Sequence, residues 1–189
     1  MRVFLTRHGE SEYNTVGRLG GDTGLTDAGK NYAQLLRTYQ DNHDDFPTTI
    51  ITSTKRRTIE TASFLGKPSE QRGELDEIYA GVAENMTYEE FADMYPEEHV
   101  LRKQDKLRYR YPSGESYIDL IERTRGVCEK IKGDNKDVLI VCHRAIARVL
   151  IHHLTGLELD EIPHVDVPLH TLMVIEDKKV SRVDIGDTC

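Results

Sequence analysis

Cysteine is scarce in this 189-residue chain: only Cys128, Cys142 and Cys189, odd in number and widely spaced. No CxxC pair and no Cys/His zinc spacing occurs, so neither a disulfide framework nor a zinc module is expected, and a reducing compartment is the simplest expectation. Long apolar runs are missing too. Nothing approaches the roughly 18 apolar residues of a membrane span, and Met1–Glu10 carries no apolar signal core, so a cytoplasmic protein with no membrane partner is expected. In that setting Asn85-Met86-Thr87 is a chance match to a glycosylation acceptor. Positive charge is in deficit, with 25 Lys and Arg against 33 Asp and Glu and a net charge of −8. That balance argues against a nucleic-acid partner, so an anionic ligand would need a local basic pocket. No linker, low-complexity tract or internal repeat is present, and one domain over residues 1–189 is expected.

What is present alternates. Arg2–Thr6, Thr48–Thr52 and Asp137–Cys142 are short continuous apolar runs, the form of central parallel strands covered on both faces. Helical spacing links Tyr32, Leu35, Leu36 and Tyr39, then Tyr117, Leu120, Ile121, Cys128 and Ile131, then Ile146, Val149 and Leu150. Thr87 and Glu90 have capping-box spacing ahead of Phe91, Met94 and Tyr95. Thr171–Glu176 and Lys179–Ile185 around Asp177-Lys178 predict an antiparallel hairpin at a sheet edge. The expectation is an α/β three-layer sandwich, with a mostly parallel sheet, helices on both faces and an antiparallel edge.

The chemistry-bearing residues follow strands. Arg7-His8-Gly9 ends the first run, Ser53–Arg57 follows the second and His143 the third. If these strands are parallel neighbours, two imidazoles and at least two guanidiniums meet at the carboxyl edge of the sheet, where ligands bind. With helix N-termini added, that is a site for a phosphate dianion. Residues 102–110 hold five basic residues and one acid, a local inversion of the chain's charge that a second phosphate would explain. The alternative is a solvated face neutralising Glu97 and Glu98. Gly24–Asn31 nearly spells a P-loop, but Asn31 stands where Ser or Thr binds magnesium and no apolar strand precedes it. It reads instead as a turn and helix start capped by Thr26 or Asp27, and no kinase activity is expected. His152, His153 and His164 have no ligand-spaced partner and are read as surface and loop residues.

The segments Arg7–Asn14, Gly20–Asp22, Glu77-Ile78, Ala80–Val82, Met86–Glu90, Tyr95–Glu98, Gln104–Lys106, Arg108–Pro112 and Gly114–Tyr117, in this order, resemble the histidine phosphatase (phosphoglycerate mutase-like) superfamily. Within it they look most like the bisphosphatase domain of the 6-phosphofructo-2-kinase/fructose-2,6-bisphosphatase family, from Met1 to about Thr171. That resemblance implies a metal- and cofactor-free enzyme acting on a small phosphorylated sugar, fructose 2,6-bisphosphate. His8 would take the 2-phosphate as a phosphohistidine. Arg7, Arg57, His143 and Asn14 would hold the moving phosphoryl, and Glu77 would act as acid and then base. Arg102 and Lys106 would bind the 6-phosphate, with Tyr88, Tyr117 and Arg148 along the sugar and Gly20 in the binding loop. Two positions depart from the family pattern: Arg144 stands where Gln is expected, and Asp76 puts a second carboxylate beside Glu77, an arrangement expected to aid an acid role. Another histidine phosphatase, a phosphoglycerate mutase or a non-catalytic phospholigand sensor are the alternatives.

Overall fold

In the computed structural model, which describes residues 1–186, strands and helices alternate as the apolar pattern requires. In chain order they are β1 (Val3–Arg7), α1 (Glu12–Thr15), α2 (Asp27–Asp41), β2 (Thr49–Thr52), α3 (Arg56–Ser63), β3 (Glu70–Gln71), α4 (Tyr88–Met94), α5 (Pro96–Gln104), α6 (Tyr117–Asp134), β4 (Val138–Cys142), α7 (Arg144–Thr155), β5 (Leu172–Glu176) and β6 (Lys179–Val183). Cys189 lies outside the described residues, and Cys128 and Cys142 are buried free thiols.

The six strands form one sheet in the order β3-β2-β4-β1-β5-β6. β1, β4, β2 and β3 run parallel, and β5 and β6 pair antiparallel at the other edge. Side chains alternate between the sheet's faces. Val3, Leu5, Val138 and Ile140 pack in one core with Leu120, Ile121 and Ile131 of α6 and Ile146, Val149 and Leu150 of α7. Phe4, Leu139 and Val141 pack in a second core with Leu36 of α2 and Ala62 of α3. Two apolar faces on one sheet explain the continuous apolar strands, and the three expected layers are present. Each fully buried aliphatic side chain stabilises this arrangement by roughly 1.5–3 kcal/mol.

Local signals set the helix ends. Thr26 Oγ1 accepts the Gly29 amide at 3.1 Å to cap α2, so the near-P-loop segment is a helix start. Thr87/Glu90 and Ser116/Asp119 form capping boxes on α4 and α6. Asn135 (φ 48°) and Gly156 (φ 82°) close α6 and α7 in left-handed backbone. Asp177 and Lys178, both at positive φ, make the tight turn between β5 and β6. No helix among the described residues is long and apolar enough to cross a membrane.

Register brings the site together. Arg7 pairs with Cys142 across β1 and β4, so His8 and His143 leave the sheet side by side. Thr52 pairs with Val141, so Ser53 leaves at the same level. A third apolar cluster, Ala80, Ala83, Phe91 and Tyr111, supports the loops and short helices beyond this edge.

Candidate active site

His8 is 3% exposed and its ring centroid lies 5.2 Å from that of His143, which is fully buried. The His8 hydrogen bonds fix its tautomer. Arg57 Nε–H can only donate, and it points at His8 Nε2 at 3.1 Å, so Nε2 carries the lone pair. Nδ1 therefore holds the proton and donates it to the Gly9 carbonyl at 2.7 Å. Burial, and then the Arg57 guanidinium, hold this imidazole well below its ordinary pKa. A neutral ring with Nε2 unprotonated is a nucleophile. The turn that presents it is tight: a Cβ on Gly9 would strike the Gly29 carbonyl of α2, so glycine is required there.

His143, at the N-cap of α7, is likewise held neutral by burial and by Arg57. Its Nε2 lies 2.8 Å from Ser53 Oγ, while its buried Nδ1 has no partner among the described residues. Arg7 is buried as well; one terminal nitrogen donates to the Val167 carbonyl at 3.1 Å, and its Nε has no partner among the described residues. Burial, and then Arg144, push the Arg7 pKa down to about 10, which leaves it charged at neutral pH.

A cleft of about 330 Å³ opens over His8. Seven cationic side chains (Arg7, Arg18, Arg57, Arg102, Lys106, Arg144 and Arg148) and a single carboxylate, Glu77, line it. Asn14, Gly20, Tyr88 and Tyr117 complete the sequence-derived set on its wall. His143 alone of that set does not line the cleft; its ring lies 5.2 Å, centroid to centroid, from that of His8. Glu77 is fixed at the N-terminus of α7, where Oε1 accepts the Ala145 amide at 3.2 Å and its neighbour Ile78 N–H at 3.0 Å. Asn14 gives its carboxamide oxygen to the Ser11 N–H and O–H, so its NH₂ is the end left for an anion. Gly20 has φ +65°, and a Cβ there would run into the Glu84 carboxylate.

Of the five basic residues in 102–110, Arg102 and Lys106 line the cleft, together with Tyr109 of the same stretch. Arg102 lies 4.7 Å over the Tyr88 ring and donates to Tyr111 Oη at 2.6 Å and Tyr88 Oη at 3.0 Å. Lys106 is half-buried, and its ammonium donates to the Pro163 carbonyl at 3.2 Å. Burial, then Arg148, Arg102 and Arg144, push its pKa down to about 8. Arg108 and Arg110 turn instead to Asp105, Asp160 and Asp119 on the surface. Arg148 is held between the Val165 carbonyl (2.8 Å) and Tyr117 Oη (2.9 Å).

Asp76 corrects one expectation. Its carboxylate is taken by Thr54, whose N–H and O–H donate at 2.8 and 2.9 Å, so it joins the β2–α3 turn rather than assisting Glu77. The sequence also gave no sign of Arg123. That residue forks onto Glu115 and donates to the Gly73, Glu74 and Asp76 carbonyls, which fixes the segment carrying Glu77. Arg18, another addition, lines the cleft while bound to Glu90.

The chain belongs to the histidine phosphatase superfamily (branch 1), which it matches over residues 3–182. It is 47% identical to human 6-phosphofructo-2-kinase/fructose-2,6-bisphosphatase 1 and 46% identical to 6-phosphofructo-2-kinase/fructose-2,6-bisphosphatase of Gallus gallus, each over 171 residues and 90% of this chain. It spans 36% of the length of those relatives. The α-ribazole phosphatase of Shigella flexneri shares the fold, with a TM-score of 0.86, 24% identity and coverage of 100% of this chain and 97% of that one. Membership of this family indicates a phosphatase, a hydrolase of phosphoric monoesters.

Proposed function

We propose that the chain, acting as one domain over residues 1–189, hydrolyses the 2-phosphate of fructose 2,6-bisphosphate to give fructose 6-phosphate and phosphate. The observation that carries this reading is the buried, neutral His8 with its Nε2 lone pair under Arg57, in a cleft that holds further cations on other elements. Nε2 attacks the phosphorus, the bond to the sugar oxygen breaks, and Glu77 gives that oxygen a proton. Water then attacks the phosphohistidine and returns a proton to Glu77, the N–P bond breaks, and phosphate leaves. The transferring phosphoryl is loosely bonded, so Arg7, Arg57, His143 and Asn14 act by alignment and charge. Arg102 and Lys106 hold the 6-phosphate; Tyr88, Tyr117, Arg148 and Gly20 shape the sugar site, and Arg144 adds a cation at its rim. The 46–47% identical relatives, whose name includes fructose-2,6-bisphosphatase, favour this substrate over other monoesters.

A panel of phosphorylated sugars and glycerates tests it. Fructose 2,6-bisphosphate is expected to give the highest kcat/KM and to leave acid-labile phosphate on the protein, absent in His8→Ala. A higher kcat/KM for 3-phosphoglycerate or for a sugar monophosphate overturns the substrate. Tight bisphosphate binding without label or turnover would instead mark a sensor.

The pH dependence of KM follows from Lys106. Its ammonium is charged below about pH 8 and neutral above. KM for the bisphosphate is therefore expected to climb above pH 8, approaching about tenfold per pH unit. A flat profile is expected for Lys106→Met, whose KM is already high. An unchanged KM between pH 7 and 9.5 in the wild-type protein would remove Lys106 from the site.

A further inference from the structure

The peptide group between Gly9 and Glu10 has a partner on each side. Its carbonyl accepts His8 Nδ1–H at 2.7 Å, and its N–H donates to His170 Nε2 at 3.1 Å. His170 is therefore protonated on Nδ1 and offers Nε2 as an acceptor. We propose that His170 is a positioning residue for phosphoryl transfer: acting through this single peptide group, it orients the carbonyl that fixes the tautomer of His8 and raises the nucleophilicity of its Nε2. This rests on the reading of His8 as the nucleophile.

The surroundings of His170 are built for that task. Its backbone sits at φ 55°, a left-handed conformation that a non-glycine residue holds only when its neighbours impose it. The ring stacks on Tyr32 with centroids 5.0 Å apart and planes at 19°. Tyr32 is fully buried, and its hydroxyl meets Thr6 Oγ1 at 2.5 Å, on β1 two residues before His8. Thr6 Oγ1 also donates to the Thr171 carbonyl at 3.0 Å, next to His170. Glu10 is held from the other side, since its carbonyl accepts the Thr26 amide at 2.9 Å. Glu10, whose N–H belongs to this peptide group, is thus held between the start of α2 and the 169–171 turn. An N–H that donates makes the carbonyl of the same amide a stronger acceptor, because hydrogen bonds in a chain polarise one another. A stronger pull on Nδ1–H puts more electron density on Nε2. An outer partner plays the same part for metal-bound histidines, where its loss costs about 10–100-fold.

Only neutral His170 can accept. Burial lowers its pKa, Glu10 beside it opposes that shift, and Arg7 at the end of β1 adds to it. The other titratable groups facing it are Tyr32 and His8.

Two variants separate the acceptor from the packing. His170→Phe keeps a ring for Tyr32 and loses the acceptor, whereas His170→Gln keeps an acceptor and loses the ring. With full-length protein and fructose 2,6-bisphosphate, rapid quench is expected to show His8 phosphorylation about tenfold slower in His170→Phe, with KM within twofold of wild type. His170→Gln is expected to recover most of that rate. Nitrogen-15 NMR is expected to show His8 protonated on Nδ1 in wild type and in His170→Gln, and a mixture of tautomers in His170→Phe. Equal phosphorylation rates in all three proteins, or an unchanged His8 tautomer in His170→Phe, would overturn the proposal. Should His170→Phe fail to fold, the hydrogen-bond coupling between Glu10 N and His170 Nε2 in the wild-type protein decides, and its absence refutes the relay. If wild type forms no phosphohistidine, the proposed function fails, while the tautomer and coupling measurements still report on His170.

Discussion

Replacing Arg57 with alanine is expected to slow phosphorylation of His8 by about 10³-fold or more, the scale set by guanidiniums that stabilise phosphoryl transfer elsewhere. Three contributions end together in that variant. The buried guanidinium directs Nε at His8 Nε2 and a terminal nitrogen at the Gly21 carbonyl, 2.9 Å away. It also helps keep both imidazoles neutral, and it lies where negative charge would gather during transfer. Without it the His8 pKa rises, so the acid limb of the kcat/KM profile is expected to move to higher pH. Lysine should not restore the activity, because one ammonium cannot face His8 and Gly21 as a planar fork does. Rapid-quench labelling and a pH profile of kcat/KM measure both effects. A loss below tenfold, with the acid limb in place, would mean that Arg57 serves the fold rather than the transfer.

The second large effect is expected from Glu77→Gln. A carboxamide still offers an oxygen to the Ala145 and Ile78 amides, so the local structure should hold. What disappears is the exchangeable proton. Turnover of a sugar phosphate is expected to fall by about 10²–10⁴-fold, the range for a positioned acid or base. The consequence depends on the leaving group. With p-nitrophenyl phosphate, whose phenolate departs unprotonated, phosphorylation of His8 should proceed near the wild-type rate. Water's attack has then lost its base, and phosphohistidine should accumulate. An equal loss with both substrates and no accumulated label would assign Glu77 to binding alone.

The sheet and its edge chemistry were legible in the sequence for one physical reason: a strand covered on both faces has to be apolar throughout. That rule found β1, β2 and β4, and with them the positions where His8, Ser53 and His143 leave the sheet. Capping signals placed the starts of α2 and α4 in the same way, whereas the Ser116/Asp119 box of α6 was not read. β3 was invisible because a two-residue exposed edge strand leaves no pattern. α5 has no buried residue and no apolar stripe; its only signals were Pro96 in the first turn, Glu97 and Glu98 after it, and Arg102 and Lys103 in the last turn. The basic stretch 102–110 divided in a manner composition does not encode, since two of its cations face the cleft while Arg108 and Arg110 meet nearby aspartates. Asp76, Arg123 and His170 share a different cause. Each acts through a hydrogen bond to a residue at least 22 positions away, and local sequence holds no record of such a partner.

β1 lies between β4 and β5, so the strand that leads to His8 takes its neighbours from residues 138–142 and 172–176. During synthesis His8 is made before both of those strands and stays without its scaffold until they follow. Pairing over so long a sequence interval is slow, because the loop must close before any contact rewards it. Assembly of the site is therefore expected to be a late event, and a nascent chain halted before about residue 176 should be catalytically silent even though His8, Arg57, Glu77 and His143 are already in place along it.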